Sequence, residues 1–209
     1  TLTKEKLQGT WSLTVSLKEK LPVVFGAMND AEEITSKIPQ ETIQVLTKGI
    51  PSDAVLEILV VFDASGYRMV IDGEKMNSVI LSTMKSVVSV EVLTECFRVQ
   101  NLSEEEIRQR CGGLSIEEYV ELLHQLYEPI DFTELFSKEE EATVKDGMLI
   151  TATEEYRIKG NTLYMQSGET ELCLKYDGQK LIIKEIVGAE ENDIVSALLP
   201  LYFQWVSTK

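Results

Sequence analysis

Between Leu7 and Leu17 the chain reads Leu-Gln-Gly-Thr-Trp-Ser-Leu-Thr-Val-Ser-Leu. Trp11, Leu13, Val15 and Leu17 alternate with Ser12, Thr14 and Ser16. A period of two puts every apolar side chain on one face of a strand, whereas a helix would scatter them around its axis. One face must be buried while the other meets water, which is the habit of antiparallel sheets. The predicted strand is 10–17.

The same period returns near the other end. Expected strands at 142–145, 148–152, 155–159, 162–166, 170–176 and 180–187 are separated by Asp146-Gly147, Gly160-Asn161, Ser167-Gly168 and Asp177-Gly178. Turns this short make hairpins and leave no room for the crossovers that parallel strands need. Between the two ends, 55–71 reads as a further hairpin. Leu56, Ile58, Val60 and Phe62 line one arm, Ser65-Gly66 turns, and Tyr67, Met69 and Ile71 line the other. Leu59 and Val61 make the first arm apolar on its second face, so it is expected to be covered on both. An up-and-down barrel or a sandwich accommodates strands of this length.

Around these strands the pattern is helical or indistinct. Leu21–Gly26 is short, apolar and broken by Pro22. Asp30, with Glu33 three residues on, predicts a helix start that must stop before Pro39. Residues 41–48 form a short piece, helical or extended, ended by Gly49 and Pro51. From 74 to 100, Met76, Ile80, Met84, Val88, Val92 and Cys96 recur every four residues, which predicts one long helix. Val88, Val90 and Val92 also alternate, and valine is a weak helix former. Ser103 with Glu106 and Ser115 with Glu118 are capping boxes, the first helix ending at Gly112-Gly113. The second carries Ile116, Tyr119, Val120, Leu123, Leu126 and Tyr127 on one stripe and halts at Pro129. Asp131–Phe136 adds a helical turn. The apolar tail 194–205, broken by Pro200, is expected to pack on the sheet as a short helix and an extended arm. The expected fold class is mainly β (α+β): one domain over 1–209, with a helical insertion of about 65 residues at 74–140.

Charge narrows the partners. Thirty-five acidic residues against 20 basic ones give a net charge of -15. That field repels phosphate backbones, so no nucleic-acid partner is expected. No apolar run is long enough to span a membrane. Cys96, Cys111 and Cys173 are too few and odd in number for a disulfide framework. Cys96 and Cys111 would pair only if a helical hairpin brought them together.

Catalytic patterns are sparse. His124 is the sole histidine, and no spacing of cysteines or histidines matches a zinc site. The carboxylate runs at Glu104–Glu106, Glu139–Glu141 and Glu154-Glu155, and the group Glu190, Glu191 and Asp193, fall at helix starts or in turns. No glycine-rich phosphate loop or nucleophile elbow is present. The expected protein is not an enzyme and has no catalytic residues, metal site or cofactor.

Two motifs carry a resemblance. Leu7-Gln8-Gly9-Thr10-Trp11 opens the first strand, and Tyr156-Arg157-Ile158-Lys159-Gly160-Asn161-Thr162-Leu163 sits in the last meander. With them the chain resembles the calycin superfamily of lipocalins and fatty-acid-binding proteins, and especially the lipocalin-like domains of secreted bacterial lipoproteins. The resemblance covers both ends of the chain but not the helical block. It implies an antiparallel up-and-down lipocalin-like β-barrel. It also implies an extracellular or cell-surface location, with anchoring through a lipidated leader outside this chain. The family's Arg-x-Tyr carboxylate anchor has no counterpart in the last strand, Leu181–Ile186, which holds no arginine.

The function expected is non-catalytic binding of a small apolar or amphipathic ligand inside the barrel. If Trp11 faces inward, so do Leu13, Val15, Ile58, Val60, Tyr67, Met69, Tyr156, Ile158, Leu163, Met165, Leu172 and Leu174. The ligand-binding candidates are Trp11, Val60, Tyr67, Met69, Tyr156, Ile158, Met165 and Leu174. Tyr67, Tyr156, Tyr164 and Tyr176 offer hydroxyls on apolar bodies. A barrel of eight strands is either filled by its side chains or holds one small ligand. The alternative is a protein-interaction module that uses the helical insertion, with the barrel as a filled scaffold.

Overall fold

The computed structural model of the chain describes residues 1–30, 37–136, 142–189 and 194–207. In chain order the elements are α1 Lys4–Leu7, β1 Gly9–Ser16, α2 Leu17–Asp30, α3 Gln40–Gly49, β2 Val55–Phe62, β3 Tyr67–Ile71, α4 Gly73–Val87, α5 Val90–Val99, α6 Glu104–Arg110, α7 Ile116–Gln125, α8 Phe132–Phe136, β4 Thr143–Lys145, β5 Met148–Ile150, β6 Tyr156–Lys159, β7 Thr162–Ser167, β8 Thr170–Tyr176, β9 Lys180–Val187, α9 Ile194–Ala197 and β10 Leu201–Ser207. The helix expected from Asp30 and Glu33, the Glu139–Glu141 run, and Glu190, Glu191 and Asp193 lie wholly or mostly outside the described residues. The chain is α+β, and its helices occupy more of it than the expected single block. The apolar piece with Pro22 lies inside α2, and 41–48 is helical within α3.

Contacts divide the chain into two compact units. One takes Thr1–Val15, Leu56–Met76 and Asp131–Lys209, and the other takes Ser16–Val55 and Asn77–Ile130.

The first unit holds the sheet. Its ten described strands are antiparallel in the order β4-β5-β3-β2-β1-β10-β9-β8-β7-β6. The strands expected at 142–187 and the 55–71 hairpin are present. The tail differs from expectation: 201–207 is not an arm laid on the sheet but a strand within it, between β1 and β9. Leu201 and Phe203 are buried while Tyr202 is exposed. Pro200 stands just before this strand, where a missing N–H does no harm. Leu17 opens α2 rather than closing β1.

Trp11, Leu13, Val15, Ile58, Val60, Tyr67, Met69, Tyr156, Ile158, Leu163, Met165, Leu172 and Leu174 all join one apolar cluster. The period-two reading of these strands therefore holds at each of these positions. The cluster draws on β1–β3 and on β6–β10, so the sheet must bend round it. Hydrogen bonds show how far. The Tyr67 hydroxyl on β3 donates to the Gln166 carbonyl on β7. These strands lie six places apart in the order, which in a flat sheet is roughly 29 Å. The chain between them is shared: Thr151 N–H donates to Met69 O at 3.0 Å and Glu154 N–H to Tyr67 O at 2.8 Å, after which β6 pairs with β7. In the ladder itself, β4 and β6 remain the two edges.

On β9 a bulge keeps the face aligned. Cys173 pairs with Glu185 and Leu174 with Ile183, so Lys184 is extra and Ile186 and Ile183 both reach the cluster. Leu2 and Leu7, from the N-terminal turn, join it as well. The Leu2 N–H donates to Asn161 Oδ1 at 3.0 Å, and Trp11 Nε1–H donates to Leu7 O at 2.8 Å.

The second unit is helical and has its own buried residues, among them Ile43, Val45, Cys96, Phe97, Cys111 and Val120. The single long helix expected over 74–100 is two, α4 and α5. Ser89 breaks it, its hydroxyl accepting from the Val92 N–H as an N-cap. Four-residue spacing misses this because the cap lies off the apolar stripe. Both expected capping boxes are formed, at Ser103/Glu106 and Ser115/Glu118. On α7, Val120 is buried, but Leu126 is 65 % exposed and leaves the expected inner stripe because the helix ends at Gln125.

Gly9 sits where the first and last strands meet. Its φ is +130°, and a Cβ there would lie 2.4 Å from the Ser207 carbonyl oxygen and 3.3 Å from Trp205 Nε1. Gly9→Ala is therefore expected to lower stability by about 1–3 kcal/mol. Urea unfolding checks this through a lower midpoint at unchanged slope. An unchanged midpoint would show that the strand does not need the close approach.

Candidate functional site

The structure brings the eight ligand-binding candidates together. Trp11, Val60, Tyr67, Met165 and Leu174 are buried, while Met69, Tyr156 and Ile158 are half-buried against them. Cross-strand pairs set the contacts: Val60 opposite Met69, Tyr156 opposite Met165, Ile158 opposite Leu163, and Leu163 opposite Leu174. Phe62, which the sequence reading left off the site, stands edge-on to Tyr156 at 5.6 Å between ring centroids. Trp11 meets Tyr176 edge-on at 6.5 Å.

Six of the inward side chains are closely packed: Trp11, Val60, Tyr67, Leu163, Met165 and Leu174 are each at most 3 % exposed. Met69, Tyr156 and Ile158 are half-buried, so the close packing belongs to these six. Side chains at native density leave no space for a ligand between them.

The hydroxyls expected to greet a ligand are already bonded. Tyr67 donates to Gln166 O, Tyr156 to Asp63 O at 3.0 Å, and Tyr176 to Gly178 O at 2.7 Å. Burial, and then the nearby Glu154 charge, push the Tyr67 phenol well above its ordinary value. Burial likewise raises Tyr156. Tyr164 lies on the other face of the sheet, 3.7 Å beneath the Arg157 guanidinium. Arg157 also holds both Glu171 carboxylate oxygens, at 2.9 and 3.1 Å, so this polar cluster is closed on itself.

At the β2–β3 turn, Asp63 Oδ1 accepts from Ser65 N–H at 2.8 Å and Ser65 Oγ–H at 2.5 Å, and Oδ2 accepts from Arg68 Nη1 at 2.5 Å. The Ser65 hydroxyl, then Arg68, hold this carboxyl well below the usual carboxylate range. Gly66 makes the docking possible: its φ is +156°, and a Cβ would lie 2.2 Å from the Glu154 carbonyl oxygen.

Reactive groups in the helical unit are also committed to structure. His124 Nε2–H donates to the Val88 carbonyl at 2.6 Å, closing the open C-terminal end of α4. Cys96 and Cys111 are free and buried. Burial raises both thiols, the reverse of what a nucleophile needs. Among the described residues, no three His, Cys, Asp or Glu side chains gather as a metal site.

What this unit leaves open is apolar and acidic. Leu122 in the last turn of α7 and Leu126, its C-cap, are both exposed, as is Ile130 beyond them. Between α6 and α7 lies an open groove of about 630 Å³. Spacing alone puts Leu126 on the inner stripe, and the Gly112-Gly113 turn between the two helices is the sequence signal nearest the groove.

Comparison of the chain with protein-family models, with curated proteins and with solved structures gives no match in any of the three.

Two substitutions check the packing. Tyr67→Phe leaves the Gln166 carbonyl without this donor and should cost about 1–2 kcal/mol in chemical denaturation. A neutral result would mean that the β3–β7 latch is not part of the fold's stability. Asp63→Asn tests the turn through pH. A depressed folded value means the charged form stabilises above the ordinary carboxylate range and loses that effect as pH falls through the folded value. The wild type should exceed Asp63→Asn by on the order of 1 kcal/mol near pH 7, a figure discounted for solvent screening. That margin should shrink below about pH 4, and a constant difference from pH 7 to pH 3 would contradict it.

Proposed function

We propose that the chain is a non-catalytic binding protein of lipocalin-like type, in which the curled sheet closes as a filled barrel scaffold and the helical unit carries the recognition surface for a protein partner. Two sequence motifs, Leu7–Trp11 and Tyr156–Leu163, support the lipocalin-like reading and, with it, export to the extracellular space or cell surface. One observation carries the choice of surface. The six interior side chains Trp11, Val60, Tyr67, Leu163, Met165 and Leu174 are at most 3 % exposed, which leaves a small apolar ligand no room among them. Of the two sequence readings, this favours the helical one, where Leu122 and Leu126 present apolar surface one turn apart. A pair of apolar side chains on one helix face is what a partner helix or strand buries.

Native mass spectrometry with palmitate, together with Nile red fluorescence, tests the proposal. The expected results are no palmitate adduct, and a dye signal that falls at least about twofold in Leu122→Ser/Leu126→Ser while the melting temperature is unchanged. A one-to-one palmitate complex that the double substitution leaves intact would return binding to the sheet interior and overturn the proposal.

A further inference from the structure

The groove between α6 and α7 has a composition that selects its occupant. Its apolar floor is Ile107, Leu114 and Ile116, all half-buried. Glu104 and Glu117 stand exposed at its rim, with Arg108 as the one cation. The other rim carboxylate, Glu118, is held by its capping box, accepting the Ser115 N–H at 2.9 Å. The groove's size lies within the range of sites that bury compact ligands or a few peptide side chains. The same helices carry Glu105, Glu106 and Glu121 against Arg110, with Glu106 held in its own capping box. The whole chain adds its field at a net charge of -15.

We infer that this groove is the docking site of a basic amphipathic peptide segment, whose apolar side chains cover Ile107, Leu114 and Ile116 and whose lysines or arginines meet Glu104 and Glu117. An acidic or neutral apolar partner would desolvate the rim carboxylates without compensation. A nucleic acid or anionic lipid surface would meet like charge. A basic amphipathic helix matches both parts at once, because its apolar stripe and charged flanks have the same arrangement as floor and rim. The inference rests on the proposed recognition role of the helical unit and adds to it a groove apart from Leu122 and Leu126, with the chemistry of its partner.

The test uses the full chain and a fluorescein-labelled peptide of lysine and leucine, about five helical turns long, patterned as an amphipathic helix. Its glutamate–leucine counterpart is the control. Anisotropy titrations at low salt are expected to show saturable binding of the basic peptide and none of the acidic one. Glu104→Gln/Glu117→Gln should weaken binding about fivefold to tenfold. Glu128→Gln/Glu185→Gln, which removes the same charge elsewhere, should change it less than twofold. Circular dichroism confirms that both variants stay folded, and Ile107→Ser should weaken binding without depending on charge.

Equal weakening by the two glutamine pairs would mean diffuse attraction to an acidic protein and would overturn the inference. Binding that responds to Leu122→Ser/Leu126→Ser but not to the groove substitutions would also overturn it, while leaving the helical surface in place. Failure of the peptide to bind, with the dye signal still on Leu122 and Leu126, would reject the groove alone. Failure of both would reject the helical surface as well.

Discussion

The pairing of β10 with β1 holds the sheet unit together. Without it the ladder falls into two parts, β4-β5-β3-β2-β1 and β9-β8-β7-β6, each with an apolar face and nothing opposite. β10 supplies Phe203 and Leu201 to the shared cluster and bonds to a neighbour on each side. It joins residues at nearly opposite ends of the chain. The entropic cost of closing so long a loop grows only slowly, by ~0.6 kcal/mol for each doubling of length. The larger consequence is kinetic, because non-local contacts of this kind form late. Gly9 then follows from the same pairing: the register that sets Trp11 opposite Trp205 leaves no space for a Cβ beside Ser207.

What could be read from the sequence was whatever repeats with a period. Alternation in β1, β2, β3, β6, β7 and β8 named the inward face correctly, because one-sided burial writes itself as a period of two. The capping boxes of α6 and α7 were legible because they are local hydrogen-bond chemistry. The α4–α5 break was not, since a lone serine between valines carries no spacing signal. α2 hid behind Pro22, and β10 within an apolar stretch that Pro200 breaks. The candidate side chains were placed together by the sequence. Whether they enclose space was not legible, because packing depends on how tightly the sheet bends, and long-range contacts such as Tyr67 to Gln166 carry no periodic signal.

Those contacts bear on function. Tyr67 links β3 to β7 and Tyr156 links β6 to the β2–β3 turn, and their hydroxyls end on backbone carbonyls. A side chain bonded in this way specifies a unique core, and would leave an orphaned carbonyl if a ligand drew it away. The Leu2 and Leu7 side chains are buried in the same cluster. The tyrosine hydroxyls are thus committed to the protein's own backbone.

The helical unit follows the same logic with the opposite result. Its potentially reactive groups are occupied: His124 by a helix-end carbonyl, and Cys96 and Cys111 by burial that keeps their thiols protonated. Its capping glutamates are bound to serine N–H groups. What is left uncommitted is apolar surface on α7 and carboxylates that nothing in the capping boxes requires. Apolar contact supplies affinity in proportion to buried area, and exposed charge chiefly selects the partner and speeds its approach. A surface built from these two terms discriminates by sign of charge first and by shape second. If the helical unit binds as proposed, its acidity is part of that specificity, whereas in the sheet unit the charges of Arg157 and Glu171 are matched within the same face.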